Sequence, residues 1–408
     1  MARGGTFHAS CMKHQQAMGD RHGNGRAGRE GTEPGTLRHS LFNGRAPRLL
    51  SAILLPAVSP SRPRILSCAV SCLVLAASVA GCTPSGPPKA PLVEIDDAPK
   101  DAILSPEGTP IALRRSVVAD QYFWLRTKVL EGEAPPAFAD AYAAMHDLRG
   151  DLAADPTAWE DLEVPLGDVS SASELVAIYG RLPEKKDVGG QMVLFRAPAV
   201  RLARAMEAIE ATYRKGPYRV HSDAIAVAAK DLQAHLLPHE AEILRAIEAD
   251  MALPSGARPI VVTLVSDAPY PGIFAADQRG RVMASFVRVR GLDGSALAET
   301  VLHESLHAID EMTVREPTAM NALRAALAKR GIDAEDSNAE MAINTVTFAE
   351  AGSLVRRFID PTYRPLGESG FYTLYAPAPA IVEAWTRHVG GEALDATADA
   401  IARAVIAP

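Results

Sequence analysis

The chain has 408 residues, 48% hydrophobic and 22% charged, with a mean hydropathy of +0.01 and a net charge of −7. That length calls for one large or two modest domains, and the composition is that of a globular protein rather than a disordered one. The first 81 residues carry +7, leaving −14 on the rest, which argues against nucleic acid as a partner because phosphate contacts need clustered cations.

Residues 1–64 are rich in Gly, Arg, Ser and Pro without apolar periodicity, so no fold is expected there. "GNGRAG" (23–28) spells G-x-G-x-x-G, but no strand precedes it and the match is accidental. "ILSCAVSCLVLAASVAGC" (65–82) is the only uncharged apolar run of membrane scale. It follows Arg62 and Arg64 and ends in small residues, the layout of a secretory signal peptide; a plain transmembrane helix is the other reading. Val79-Ala80-Gly81-Cys82 resembles the lipobox of bacterial lipoproteins. That resemblance implies lipidation at Cys82, with acyl chains such as palmitate anchoring an exported protein to a membrane of the cell envelope. Leaders of that class have a short basic region, so translation is expected to start further in. The four cysteines are Cys11, Cys68, Cys72 and Cys82, so a mature chain starting at Cys82 holds no disulfide, thiol nucleophile or Cys-ligated metal.

Residues 83–110 contain Pro and Gly throughout and are expected to be an extended tether. Apolar residues at three- and four-residue spacing predict helices over 113–130, 136–153, 197–213 and 220–251, the last interrupted at Pro238. "PIVVTLV" (259–265) and "RVMASFVRV" (281–289) predict strands. "GLDGS" then breaks the chain, with Asp293 or Ser295 available to cap a helix over 296–311. Further helices are predicted at 316–330, 337–358, 377–389 and 393–406. The expected class is α+β, mostly helical, with a helical subdomain over 111–255 and a second domain over 256–408.

Within the predicted helix 296–311 lies "TVLHESLHAIDE" (300–311). Residues four apart share a helix face, so His303 and His307 present two imidazoles to one point. Zinc accepts such nitrogens and wants a third protein ligand and an open position. Glu304 projects to one side of that face, where it can take a proton from a metal-activated water. The neighbours Val301, Leu302, Leu306, Ala308 and Ile309 are uncharged, as a buried metal helix requires.

The H-E-x-x-H stretch and the strand before it resemble the zincin metallopeptidases over about residues 280–312. The resemblance implies a zincin-like domain, Zn²⁺ as cofactor, His303 and His307 as ligands, and Glu304 as general base and proton shuttle. It also implies that an extended substrate adds to the strand beside the cleft, the position of "RVMASFVRV". Asp310 and Thr313 stand where the metzincin extension needs Gly and His, excluding that subfamily. The gluzincin pattern takes a glutamate from a later helix. Glu340 and Glu350 are the candidates; Glu340 is favoured because Asn344, four residues on, can orient His303 from the second coordination shell.

His235 and His239 are separated by Pro238 and are expected at the surface. His388, Tyr372 and Tyr375 are candidates for steadying an oxyanion, with core packing the other reading. The expected protein is therefore a lipid-anchored, zinc-dependent hydrolase acting on peptides. The alternative is a non-catalytic surface lipoprotein that uses the metal for structure or binding; a fourth ligand such as Asp310 or Glu350 would mark it.

Overall fold

The structure is a computed structural model that describes residues 102–105, 109–153, 156–253, 260–277, 282–333 and 336–406. All of these belong to one of two compact units. The other unit (24–89), the apolar run 65–82 with Cys82, and most of the expected tether lie outside the described residues. No described helix is long and apolar enough to cross a membrane.

The described chain begins as β1 (Ala102–Ile103), which pairs antiparallel with β2 (Ile111–Arg115). The tether expected to reach 110 therefore ends by 102, and Leu104 is already buried in the core. The helix predicted over 113–130 is in fact β2 followed by α1 (Val117–Glu131). Burial in β2 alternates residue by residue, a period of two. Ser116 then adopts an extended conformation, and its Oγ accepts from the Ala119 N–H at 3.3 Å, capping α1.

Helices α2 (Ala139–Asp151), α3 (Glu160–Glu163) and α4 (Ala172–Tyr179) follow. A hairpin of β3 (Lys185–Val188) and β4 (Gln191–Leu194) comes next, which the apolar pattern did not predict. Gly189 and Gly190 at its turn have φ of 61° and 86°, the left-handed pair that a two-residue hairpin turn requires. Then come α5 (Arg196–Lys215), α6 (Pro217–His235) and α7 (Glu240–Asp250). The break at Pro238 is the short 3₁₀ turn Leu237–His239.

β5 (Ile260–Val265), β6 (Gly272–Ala276) and β7 (Met283–Arg288) complete a five-stranded mixed sheet of order β1-β2-β5-β7-β6. β2, β5 and β7 run parallel, with Ile111 opposite Ile260 and Val262 opposite Ser285; β1 and β6 are antiparallel edges. Both faces are covered. Val262, Leu264, Phe274 and Val287 enter one core; Val265, Ile273, Ala284 and Phe286 enter the other. Strands buried on both faces read as unbroken apolar runs, so β5 and β7 were predictable.

The remaining helices are α8 (Gly294–Met312), α9 (Ala319–Ala328), α10 (Ser337–Phe358), α11 (Leu366–Ser369), α12 (Ala378–Val389) and α13 (Leu394–Ile406). With α6 and α7, all of these but α11 fill the first core, while α1, α2, α4 and α5 fill the second. The class is α+β, mostly helical with a small mixed sheet. A division at 255/256 does not separate two cores, because β2 hydrogen-bonds to β5 and the first core takes Ile111, Leu113 and Ile225 from before that point.

Candidate metal centre

Helix α8 lies between the sheet and α10, and every residue from Leu297 to Asp310 is buried. A helix covered on all sides must be uncharged except where polar groups meet one another, and its polar groups include the motif. Asp293 occupies the N-cap position, though its side chain makes no capping bond.

The i, i+4 spacing brings His303 Nε2 and His307 Nε2 to 3.0 Å, with the rings edge to face at 85°. Phe348 of α10 stacks on His303 at 4.0 Å between centroids, and Phe274 of β6 lies 6.0 Å from His307. Asn344, expected to orient His303, places its Oδ1 3.2 Å from His307 Nε2. Burial, then the His303 charge, hold His307 well below the usual imidazole range, which favours its neutral form.

Glu304 is 3% exposed, its Oε1 is 4.0 Å from His303 Nε2, and Oε2 has no hydrogen-bond partner among the described residues. Burial pushes its carboxyl well above the usual range. The carboxylate lies flat against Gly272 at the start of β6. A Cβ there would overlap Oε1 and stand 2.7 Å from Cδ. An isolated glycine in a strand often marks such an approach, but sequence reasoning missed it because it missed β6. "GIFAA" lacks the β-branched density of β5 and β7.

β6, not β7, is the strand beside the motif with an outer edge. β7 is hydrogen-bonded on both sides, to β5 and β6, so "RVMASFVRV" cannot accept an added strand.

Helix α10 presents Glu340, Asn344 and Phe348 on one face at four-residue spacing, and the latter two touch the histidines. Glu340 is buried in the first turn of that face. Glu350 lies ten residues on, about 15 Å along the helix. It accepts from Trp385 Nε1 at 2.8 Å and has Asp250 and Arg357 as charged neighbours. Asp310, one turn beyond His307, is bound through both oxygens to Arg324. Among the described residues no three His, Cys, Asp or Glu side chains already stand as a metal-holding group.

Glu299, one turn before His303, was not anticipated. It is fully buried and accepts from the Leu366 N–H at 2.9 Å, beside Tyr363 and Gly352. Tyr372 packs against Gly367, and Tyr375 donates to the Asn338 carbonyl at 3.1 Å. His388 sets its ring nitrogens 2.9 Å from the carbonyls of Glu392 and Asp250, a structural pin rather than an oxyanion contact. His235 and His239 are exposed, as expected.

Burial, then the charge of Asp250, push the Glu350 carboxyl up to about 8 from its ordinary 4.5. Burial likewise raises Glu299 to about 7. The folded chain thus binds these protons more tightly than the unfolded chain does, so the stability is fully present below about 4.5 and is lost as pH rises towards 8. Glu350→Gln keeps an acceptor for Trp385 and removes the charge. It should match wild type in Tm near pH 5 and exceed it at pH 9. Equal melting curves at both pH values would rule out a strained buried carboxylate.

No protein family, curated protein or solved structure matches this chain.

Proposed function

We propose that the protein is a zinc-dependent hydrolase of zincin type that acts on peptides, exported and held at the cell envelope by lipid on Cys82. The observation that carries the reading is the convergence of His303 Nε2 and His307 Nε2 to 3.0 Å beside the buried, unpartnered Glu304 Oε2. Two imidazole nitrogens sharing one zinc at 2.0–2.1 Å stand about 3.3 Å apart at the tetrahedral angle. The donor types suit zinc: His303 and His307 would hold the ion with Glu340, and the Asn344 Oδ1 contact at His307 Nε2 would give way to it. Asp310 and Glu350, which could have closed the site, are engaged by Arg324 and Trp385, which favours an open position. Bound zinc supplies Lewis acidity and brings a water's pKa near about 7.

Glu304 takes the proton of the attacking water at Oε2 and passes it to the leaving nitrogen. Gly272 leaves the room in which that carboxylate swings, and β6 offers the outer edge along which an extended chain would pair.

Metal analysis of the purified chain should find about one zinc per wild-type chain and per Glu304→Gln chain, and little in His303→Ala. Peptide hydrolysis should accompany the metal in wild type and vanish in Glu304→Gln. Zinc with no hydrolysis of any peptide in a broad library would indicate the binding lipoprotein instead. No zinc after reconstitution would end the metal reading.

A further inference from the structure

The seam between α8 and α10 is a ladder whose rungs recur every four residues. His307 meets Asn344, His303 meets Phe348, and one turn further on Glu299 meets Gly352. The last rung is closed from outside by the connection between α10 and α12, residues 359–377, which includes α11 and the turn Phe371–Thr373. Leu366 donates its N–H to Glu299 Oε2 at 2.9 Å, and a Cβ on Gly352 would stand 2.7 Å from Pro365 Cβ. Further along, the Phe371 ring lies 4.6 Å from that of Phe348, the ring stacked on His303. Tyr375 donates to the Asn338 carbonyl. The connection thus follows α10 from Gly352 back to Asn338 and supports the aromatic wall of the histidine pair.

Glu299 is its buried tie to α8; Ser295 adds a half-buried bond to Asp360 at 3.3 Å. Glu299 Oε1 has no hydrogen-bond partner among the described residues, and neither has the buried hydroxyl of Tyr363. Tyr363, Tyr372 and Glu368 of the connection and Arg356 of α10 are the titratable and charged groups around the carboxyl. Arg356 is already engaged by the Tyr363 carbonyl at 2.9 Å and Glu368 at 2.7 Å. A carboxyl withdrawn from water with one N–H donor is tolerated neutral and disfavoured charged. Release of the connection would return it to water.

We propose that residues 359–377 are a strap over the histidine seam, and that Glu299 is the latch that holds it shut while its carboxyl is neutral. With the strap open the carboxyl is solvated and titrates near its ordinary 4.5; with the strap shut, burial raises it to about 7. The shut form binds the proton more tightly. Closure is therefore fully present below about 4.5 and is lost as pH rises to about 7, a change of roughly two orders of magnitude in the opening equilibrium. The strap governs access to the site proposed above, but neither strap nor latch needs a metal there.

The test is amide hydrogen exchange of the full-length chain, read in peptides from the strap at about pH 5 and pH 8 and corrected for the intrinsic rate. In wild type the strap should exchange roughly a hundredfold faster at the higher pH, and faster there than α10, because it opens without global unfolding. Glu299→Gln keeps an oxygen for the Leu366 N–H and cannot ionise, so its strap should be equally protected at both pH values. Should that variant fail to fold, Leu366→Pro deletes the donor at the first position of α11, where proline fits. Its strap should already be open at the lower pH. The same pH dependence in wild type and Glu299→Gln overturns the latch, and a strap that exchanges only together with α10 overturns the strap. Exchange is read without metal, so a wild type that takes no zinc ends the hydrolase reading and leaves this one standing.

Discussion

Gly272→Ala should lower stability by about 1–3 kcal/mol and, under the proposed zinc-hydrolase reading, lower turnover by about a hundredfold while leaving zinc bound. The added methyl would occupy the space of the Glu304 carboxylate, overlapping Oε1 and approaching Cδ to 2.7 Å. Neither backbone can retreat. Gly272 is held in β6 opposite Val287, and Glu304 lies in a helix buried between the sheet and α10. The carboxylate must rotate away from its place beside His303, and misplacement by about 1 Å is enough for a loss of that size. The histidines are not in the path of the methyl, so the metal should remain. A double-mutant cycle isolates the contact: in a Glu304→Ala background the stability loss from Gly272→Ala should largely disappear. If it persists unchanged, the crowding lies elsewhere and Gly272 has no part in placing Glu304.

Arg126→Met should destabilise the fold by about 3–5 kcal/mol, a fall in Tm of roughly 10 °C. Arg126 of α1 and Glu163 of α3 form an ion pair whose side chains are 6% and 0% exposed, with the guanidinium 4.3 Å over the Trp159 ring. Burial outweighs the attraction of Arg126 and still raises the Glu163 carboxyl to about 6. Removing the arginine strands a charge among Tyr122, Tyr179 and Leu162 and also loses the stacking on Trp159. The loss should shrink at pH 5, where the carboxyl takes a proton instead. Arg126→Met with Glu163→Leu should recover most of the stability, since two apolar side chains can replace a buried pair without desolvation. A single variant within about 1 kcal/mol of wild type would mean that water reaches the pair.

Much of this was legible before any coordinates. Helix α10 was predicted at its observed bounds, 337–358, because its apolar spacing is regular and Asp336 caps it by accepting from the Asn338 N–H. β5 and β7 were legible as apolar runs, and the His303–Glu304–His307 face follows from helical geometry alone. Local rules sufficed wherever a segment's own periodicity matched its surroundings. They failed at β2, whose five residues precede a strong helix and were absorbed into its pattern, and at β6, whose Gly and Ala content carries no strand signal.

What the sequence determined by itself was therefore the long helices, two of the three interior strands and the histidine face with its glutamate. Which side chains surround that face was decided only in three dimensions. Gly272 makes room from a strand without a local signature, and Asn344 meets His307. Asp310 and Glu350 are engaged by Arg324 and Trp385, partners that no spacing rule connects to the motif. The physical reason is that periodicity records only whether a position is buried. Which charge it is buried against depends on how distant segments cross.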